Sequence, residues 1–151
     1  MDRIPFGIRR LDTTLGGGAP PGSLVVLSGE AGAGAREFMY TAAVMNALAR
    51  ADRELFDLYY GWSGDVTPAP AVHYVSFTDG EARLTREIDF LMDEEIVAGV
   101  GDALSYHDLS PEYFRLSPVP REWYAARTAS IADLGGDDDR TTVPEALGDV
   151  L

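Results

Sequence analysis

The chain has 151 residues, 46% of them apolar and 10% aromatic, with 25 acids against 12 bases for a formal charge of −13. That composition suits one domain with a hydrophobic core and argues against disorder, while the acidic field, with arginines dispersed apart from Arg9 and Arg10, argues against direct nucleic-acid binding. Cysteine is absent, which excludes disulfides, a thiolate zinc site and a cysteine nucleophile.

Taken in chain order, Ser23 to Ser28 is a short continuous apolar run, the pattern of a strand buried on both faces in a parallel sheet. Gly29 opens a glycine-rich turn. From Ala35 the period becomes helical, with Phe38, Ala42, Met45, Leu48 and Ala49 forming a stripe that runs to about Arg53 and can continue through Leu55 and Tyr59. Gly61 to Ala71, with two glycines and two prolines, breaks regular structure before a second strand over Val72 to Phe77. Asp79 and Gly80 end that strand. Leu84, Ile88, Leu91 and Met92 make a further helical stripe, and Tyr113 to Leu116, between Pro111 and Pro118, is a short strand candidate. Strand, helix, strand, helix, strand predicts α/β crossover units, right-handed and with a mainly parallel sheet. Residues 117–151 are irregular and acidic until a capping box at Thr142 to Glu145. The stripe Leu147, Val150, Leu151 then runs to the last residue, so the natural protein is expected to be longer than this chain.

The segment Gly29-Glu30-Ala31-Gly32-Ala33-Gly34-Ala35-Arg36 lies where a phosphate-binding loop belongs, between a predicted strand and a predicted amphipathic helix. Its glycines allow successive N–H groups and the helix N-terminus to converge on an anion. A working loop adds a lysine for the outer phosphates and a hydroxyl for magnesium; Ala35 and Arg36 stand at those two positions. No lysine occurs anywhere in the chain. A dinucleotide-binding reading needs glycine where Glu37 stands.

Ile4-Pro5-Phe6-Gly7-Ile8 through Leu11-Asp12, then Leu15-Gly16-Gly17-Gly18-Ala19-Pro20 and Gly22-Ser23, resembles the segment leading into the phosphate loop of KaiC- and RadA-like proteins of the RecA superfamily. The strand Val72 to Phe77 followed by Thr78-Asp79 resembles the family's second strand, which presents the glutamates that polarise attacking water. The resemblance covers about Ile4 to Leu116. It implies a RecA-like three-layer α/β/α domain, incomplete at its C-terminus, with residues 1–23 leading in and 24–116 forming the β-α-β-α-β core. It also implies ATP bound at Gly29 to Arg36, Asp79 as candidate base, and assembly with copies of itself or with a related ATPase subunit. Weak ATP binding is expected, with magnesium held only if residues beyond this chain supply a ligand. The function expected is a regulatory or assembly component with little or no hydrolysis. The alternatives are an active ATPase using Arg36 or a neighbouring subunit in place of lysine, and an interaction module built on Phe56, Tyr59, Tyr60 and Trp62.

The remaining features carry less. Asp93-Glu94-Glu95 and Asp137-Asp138-Asp139 lack calcium-loop spacing and read as solvated surface, so no metal site is assigned. His73 and His107 are isolated, and Asp79 also fits a helix cap before Glu81 to Met92. No secretory leader or stretch of about 20 apolar residues occurs, so a cytoplasmic, non-membrane protein is expected. Arginine in place of lysine and the excess of carboxylates suit an archaeal-like, high-salt cytoplasm.

Overall fold

The computed structural model describes residues 3–61, 67–110 and 113. In order they form α1 (Arg9–Thr14), α2 (Ala35–Ala51), α3 (Arg53–Tyr60), β1 (Val72–Ser76), α4 (Glu81–Leu91), α5 (Glu94–Val100), a 3-10 turn (Gly101–Ala103) and β2 (Leu104–Asp108). The strands β1 and β2 pair in parallel, which makes the fold mixed α/β. The described residues group into two compact units, one of 3–61, 67–74 and 86–105, the other of 75–85, 106–110 and 113. Among them no helix is long and apolar enough to cross a membrane.

In the first unit, α2 is the helix on which α3, α5 and the 3-10 turn pack. It begins after Gly34, whose φ of 81° turns the chain into the helix at little steric cost because glycine has no Cβ. Tyr40, Val44, Ala47 and Leu48, spaced by three and four, are all but fully buried and form the face turned to the core. Of the expected stripe, Met45, Leu48 and Ala49 are buried while Phe38 and Ala42 are half-buried, so the core face is rotated toward Tyr40 and Val44. Packing is close at α5: a Cβ on Gly99 would lie 3.0 Å from Leu48 Cδ1. Phe56 on α3 is fully buried and stacks on Tyr60, with ring centroids 4.8 Å apart.

The helix does not run on to Tyr59 without interruption. Asp52 is extended, with φ −140° and ψ 93°, and its carboxylate accepts the Leu55 N–H at 2.9 Å. An aspartate inside a helical period has restarted the helix as its N-cap, an outcome that periodicity alone cannot register.

Ser23 to Ser28 departs further from expectation. None of these residues joins a ladder, and Leu24, Val25, Val26 and Leu27 are 89%, 51%, 79% and 45% exposed. An apolar run becomes a strand only where a neighbouring backbone offers free N–H and C=O groups, and among the described residues β1 and β2 pair only with each other. The described sheet therefore has two strands, short of the mainly parallel, helix-covered sheet that the alternation predicted. The third strand is also displaced. It falls at Leu104–Asp108, whereas Tyr113 donates its N–H to the Leu109 carbonyl at 3.0 Å, a helical turn; Phe114 to Leu116 and the C-terminal capping box lie outside the described residues.

The leading segment is fastened to α2 by polar contacts. Ile4 and Ala19 exchange two backbone hydrogen bonds of 2.9 and 2.8 Å, and Gly18, at φ 109°, leaves room for the Ile4 carbonyl that a Cβ would strike. Asp12 is 1% exposed; its Oδ1 accepts the Phe6 N–H at 2.7 Å and its Oδ2 accepts the Tyr60 hydroxyl at 3.0 Å. Asn46 Nδ2 donates to the Pro5 carbonyl at 2.7 Å and the Ala42 carbonyl at 2.8 Å.

Removing the Asp12 carboxylate leaves the buried Tyr60 hydroxyl and the half-buried Phe6 N–H without this acceptor, so Asp12→Ala should lower unfolding free energy by about 3 kcal/mol in urea titrations, and Asp12→Asn by less. Burial first, then the hydrogen bond to Asp12 and its charge, pushes the Tyr60 hydroxyl up to about 12. A folded-state value raised above the unfolded one stabilises below the unfolded value of about 10 and loses that contribution as pH climbs through the folded value. Stability of the wild type should therefore fall between pH 10 and about 12, and denaturation of Tyr60→Phe should show a shallower decline over the same interval.

Candidate functional site

Residues 29 to 34 form the exposed connection into α2, closed by a bond from Ala33 N–H to the Glu30 carbonyl at 3.0 Å. Gly32 and Gly34 have φ of 83° and 81°, so the two glycines occupy left-handed conformations. A groove of about 450 Å³ lies beside this connection, lined by apolar Ile8, Leu27, Ala33, Ala35 and Phe38, by Gly29 and Gly34, and by polar Ser28, Glu37 and Thr41. Of the predicted binding residues, Gly29, Ala33, Gly34 and Ala35 line it; Glu30, Ala31, Gly32 and Arg36 do not.

Arg36 faces a different partner. Its guanidinium is 3.7 Å from Glu87 Oε1 on α4, and Glu87 Oε2 accepts the Tyr40 hydroxyl at 2.7 Å. Burial, followed by the Glu87 hydrogen bond, raises the Tyr40 hydroxyl well above the ordinary tyrosine value, which holds Tyr40 as a donor to Glu87 at physiological pH. Glu87 is thus fixed independently of Arg36. Glu87 and Tyr40 were not legible as part of this site, because the pair is 47 residues apart and neither carries a motif.

Glu37 occupies the third position of α2, where a capping-box carboxylate stands. Its Oε2 lies 4.0 Å from where a Cβ on Gly34 would be, so the helix N-terminus already has a carboxylate of the same chain beside it. A phosphate placed there would meet that negative charge at close range.

Asp79 belongs to the second unit. It is 7% exposed; its carboxylate accepts the Thr78 hydroxyl at 3.1 Å and pairs with Arg83 at 3.0 Å, and its N–H donates to Ser76 Oγ at 2.9 Å. The Tyr106 hydroxyl donates to its carbonyl. The aspartate anchors the first turn of α4 through Arg83, two residues ahead of the helix start where local sequence suggested a cap. Nearby, Asp108 Oδ1 accepts both the N–H and the hydroxyl of Ser110, at 2.9 and 2.6 Å.

No family, no curated protein and no solved structure matched the chain.

For ATP with magnesium the fit is poor. Ala35 offers no side-chain donor, Arg36 lies against Glu87, and Glu37 lines the groove that would receive the phosphates. Among the described residues no three His, Asp or Glu side chains gather as a metal site. The aromatic cluster divides: Phe56 and Tyr60 are core, Tyr59 is 39% exposed with its hydroxyl donating to Glu95 at 3.3 Å, and Trp62 lies outside the described residues.

Because Gly34 holds a left-handed conformation, Gly34→Ala should cost about 1–2 kcal/mol in thermal or urea unfolding, whereas Ala33→Gly, in the same exposed turn, should change stability by less.

Proposed function

We propose that the chain is a silenced relative of RecA/KaiC-type domains, which keeps a glycine loop opening into a helix but acts as a regulatory or assembly component in place of an ATPase. The observation that carries this reading is the placement of charge around the start of α2: Arg36 pairs with Glu87 while Glu37 stands beside Gly34. Each charged hydrogen bond missing from a phosphate site forfeits about 1.5–3 kcal/mol, or roughly tenfold to a hundredfold in affinity. Here the lysine and the hydroxyl are both replaced, and a carboxylate has been added. Retained backbone cannot offset three unfavourable changes, so ATP affinity falls into the range where hydrolysis has no bound substrate to act on.

An assembly role is supported by the surface beside the loop. Four consecutive large apolar residues, Leu24 to Leu27, are between 45% and 89% exposed, and a contiguous apolar run of this kind is the surface that an association covers. Within this reading the RecA-like architecture is the finer proposal behind the observed α/β fold.

Magnesium-dependent ATPase assays, at high salt to screen the chain's own charge, should give turnover at background for wild type and for Arg36→Ala alike. Turnover above background that falls in Arg36→Ala would overturn the proposal in favour of an enzyme that uses Arg36. In calorimetry, the triple variant Ala35→Lys, Arg36→Thr, Glu37→Ala should gain at least about tenfold in ATP affinity over wild type.

A further inference from the structure

We infer that the groove beside Gly34 receives an arginine or lysine side chain carried on an apolar segment of a basic partner protein. The inference deepens the assembly reading above by naming the chemistry of the partner.

Of the ten described residues lining the groove, Glu37 alone is ionisable. An occupant that covers the groove takes this carboxylate out of water, and burying it unpaired costs more than the apolar walls return. The occupant must therefore bring a compensating cation. The helix N-terminus beside it carries about half a positive charge against the full negative charge of the carboxylate, so the local balance remains negative. A phosphate, which the loop's outline suggests, meets the wrong sign; a neutral apolar ligand leaves the carboxylate unanswered.

The rest of the surface specifies what the cation is attached to. Ile8, Leu27, Ala33, Ala35 and Phe38 give the groove apolar walls, and Leu27 continues into Val26, Val25 and Leu24, all exposed. A lone amine or guanidinium would leave that run in water, whereas a peptide segment with apolar residues flanking its cation covers both. A volume of about 450 Å³ lies at the low end for ligand sites, of roughly 300–1,000 Å³, and suits a side chain with its neighbours. The formal charge of −13 repels a second copy of this chain and draws a basic partner from a distance.

The test uses the whole chain and two peptides, Ac-Ser-Leu-Val-Arg-Val-Leu-Ser-amide and the same peptide with glutamate in place of arginine, followed by calorimetry and amide NMR. The arginine peptide should bind and shift the signals of Ile8, Leu27 and Phe38, while the glutamate peptide should not. Glu37→Gln should weaken the arginine peptide by at least about tenfold. Val26→Asp, at a site 79% exposed where folding is not at stake, should weaken it as well. Absence of binding at millimolar peptide, equal affinity for the two peptides, or an affinity indifferent to Glu37→Gln would overturn the inference. Concentration-dependent self-association abolished by Val26→Asp would overturn it in favour of a second copy as occupant. The ATPase assay judges the silenced-loop reading separately: turnover would sink that reading without altering what the peptides report.

Discussion

A carboxylate with 1% of its surface in water persists only if the protein supplies the donors that water has lost. Asp12 is such a group, and its two oxygens take the Phe6 N–H and the Tyr60 hydroxyl. One side chain thereby ties the leading segment to α3, while Asn46 on α2 holds Pro5. These contacts fix residues 4–8 on the first unit. The candidate site depends on the same arrangement, because Ile8, which follows directly, is one wall of the groove. Loosening Asp12 would therefore alter the site through geometry, without touching any groove residue.

How much was legible in the sequence varies with the range of the interaction involved. The start of α2 after a glycine-rich turn could be read locally, and so could the strand near Val72 and the helix from Glu81, since period and breakers are short-range signals. The break at Asp52 depended on whether one carboxylate turned to Leu55 N–H, a choice between two local optima. The run Leu24 to Leu27 has a strand's composition yet joins no ladder among the described residues, because strandness is a property of pairs: an apolar segment shows what it avoids, whereas its ladder partner is absent from its own composition. The same limit displaced the third strand from Tyr113–Leu116 to Leu104–Asp108, since β2 is set by pairing with β1.

The candidate site was half visible. The glycine spacing, the missing lysine and the position of Glu37 in the first helical turn are all features of one heptad or less. What could not be read was the destination of Arg36, because Glu87 lies 51 residues away on another helix, and the 3.7 Å ion pair exists only once α2 and α4 have packed. The sequence left Arg36 open as a replacement for the lysine. The geometry closes much of that opening, since Glu87 is held from its other side by Tyr40 and remains a ready acceptor.

Helix geometry adds a reason why arginine at position 36 differs from lysine at position 35. Successive residues of an α-helix are rotated by about 100°, so a side chain one place along leaves the axis in a different direction. Ala35 is half-buried and lines the groove, whereas Arg36 is exposed and outside its lining. Reaching over the groove from position 36 would require Arg36 to bend back around the helix start and to leave Glu87. An exposed ion pair of this kind costs little to break, about 0–1 kcal/mol, so the pair by itself is a weak obstacle. The stronger one is Glu37, whose carboxylate is already beside the helix start. An arriving phosphate would have to share that region with it, and Ala35 beside it offers no side-chain donor in compensation.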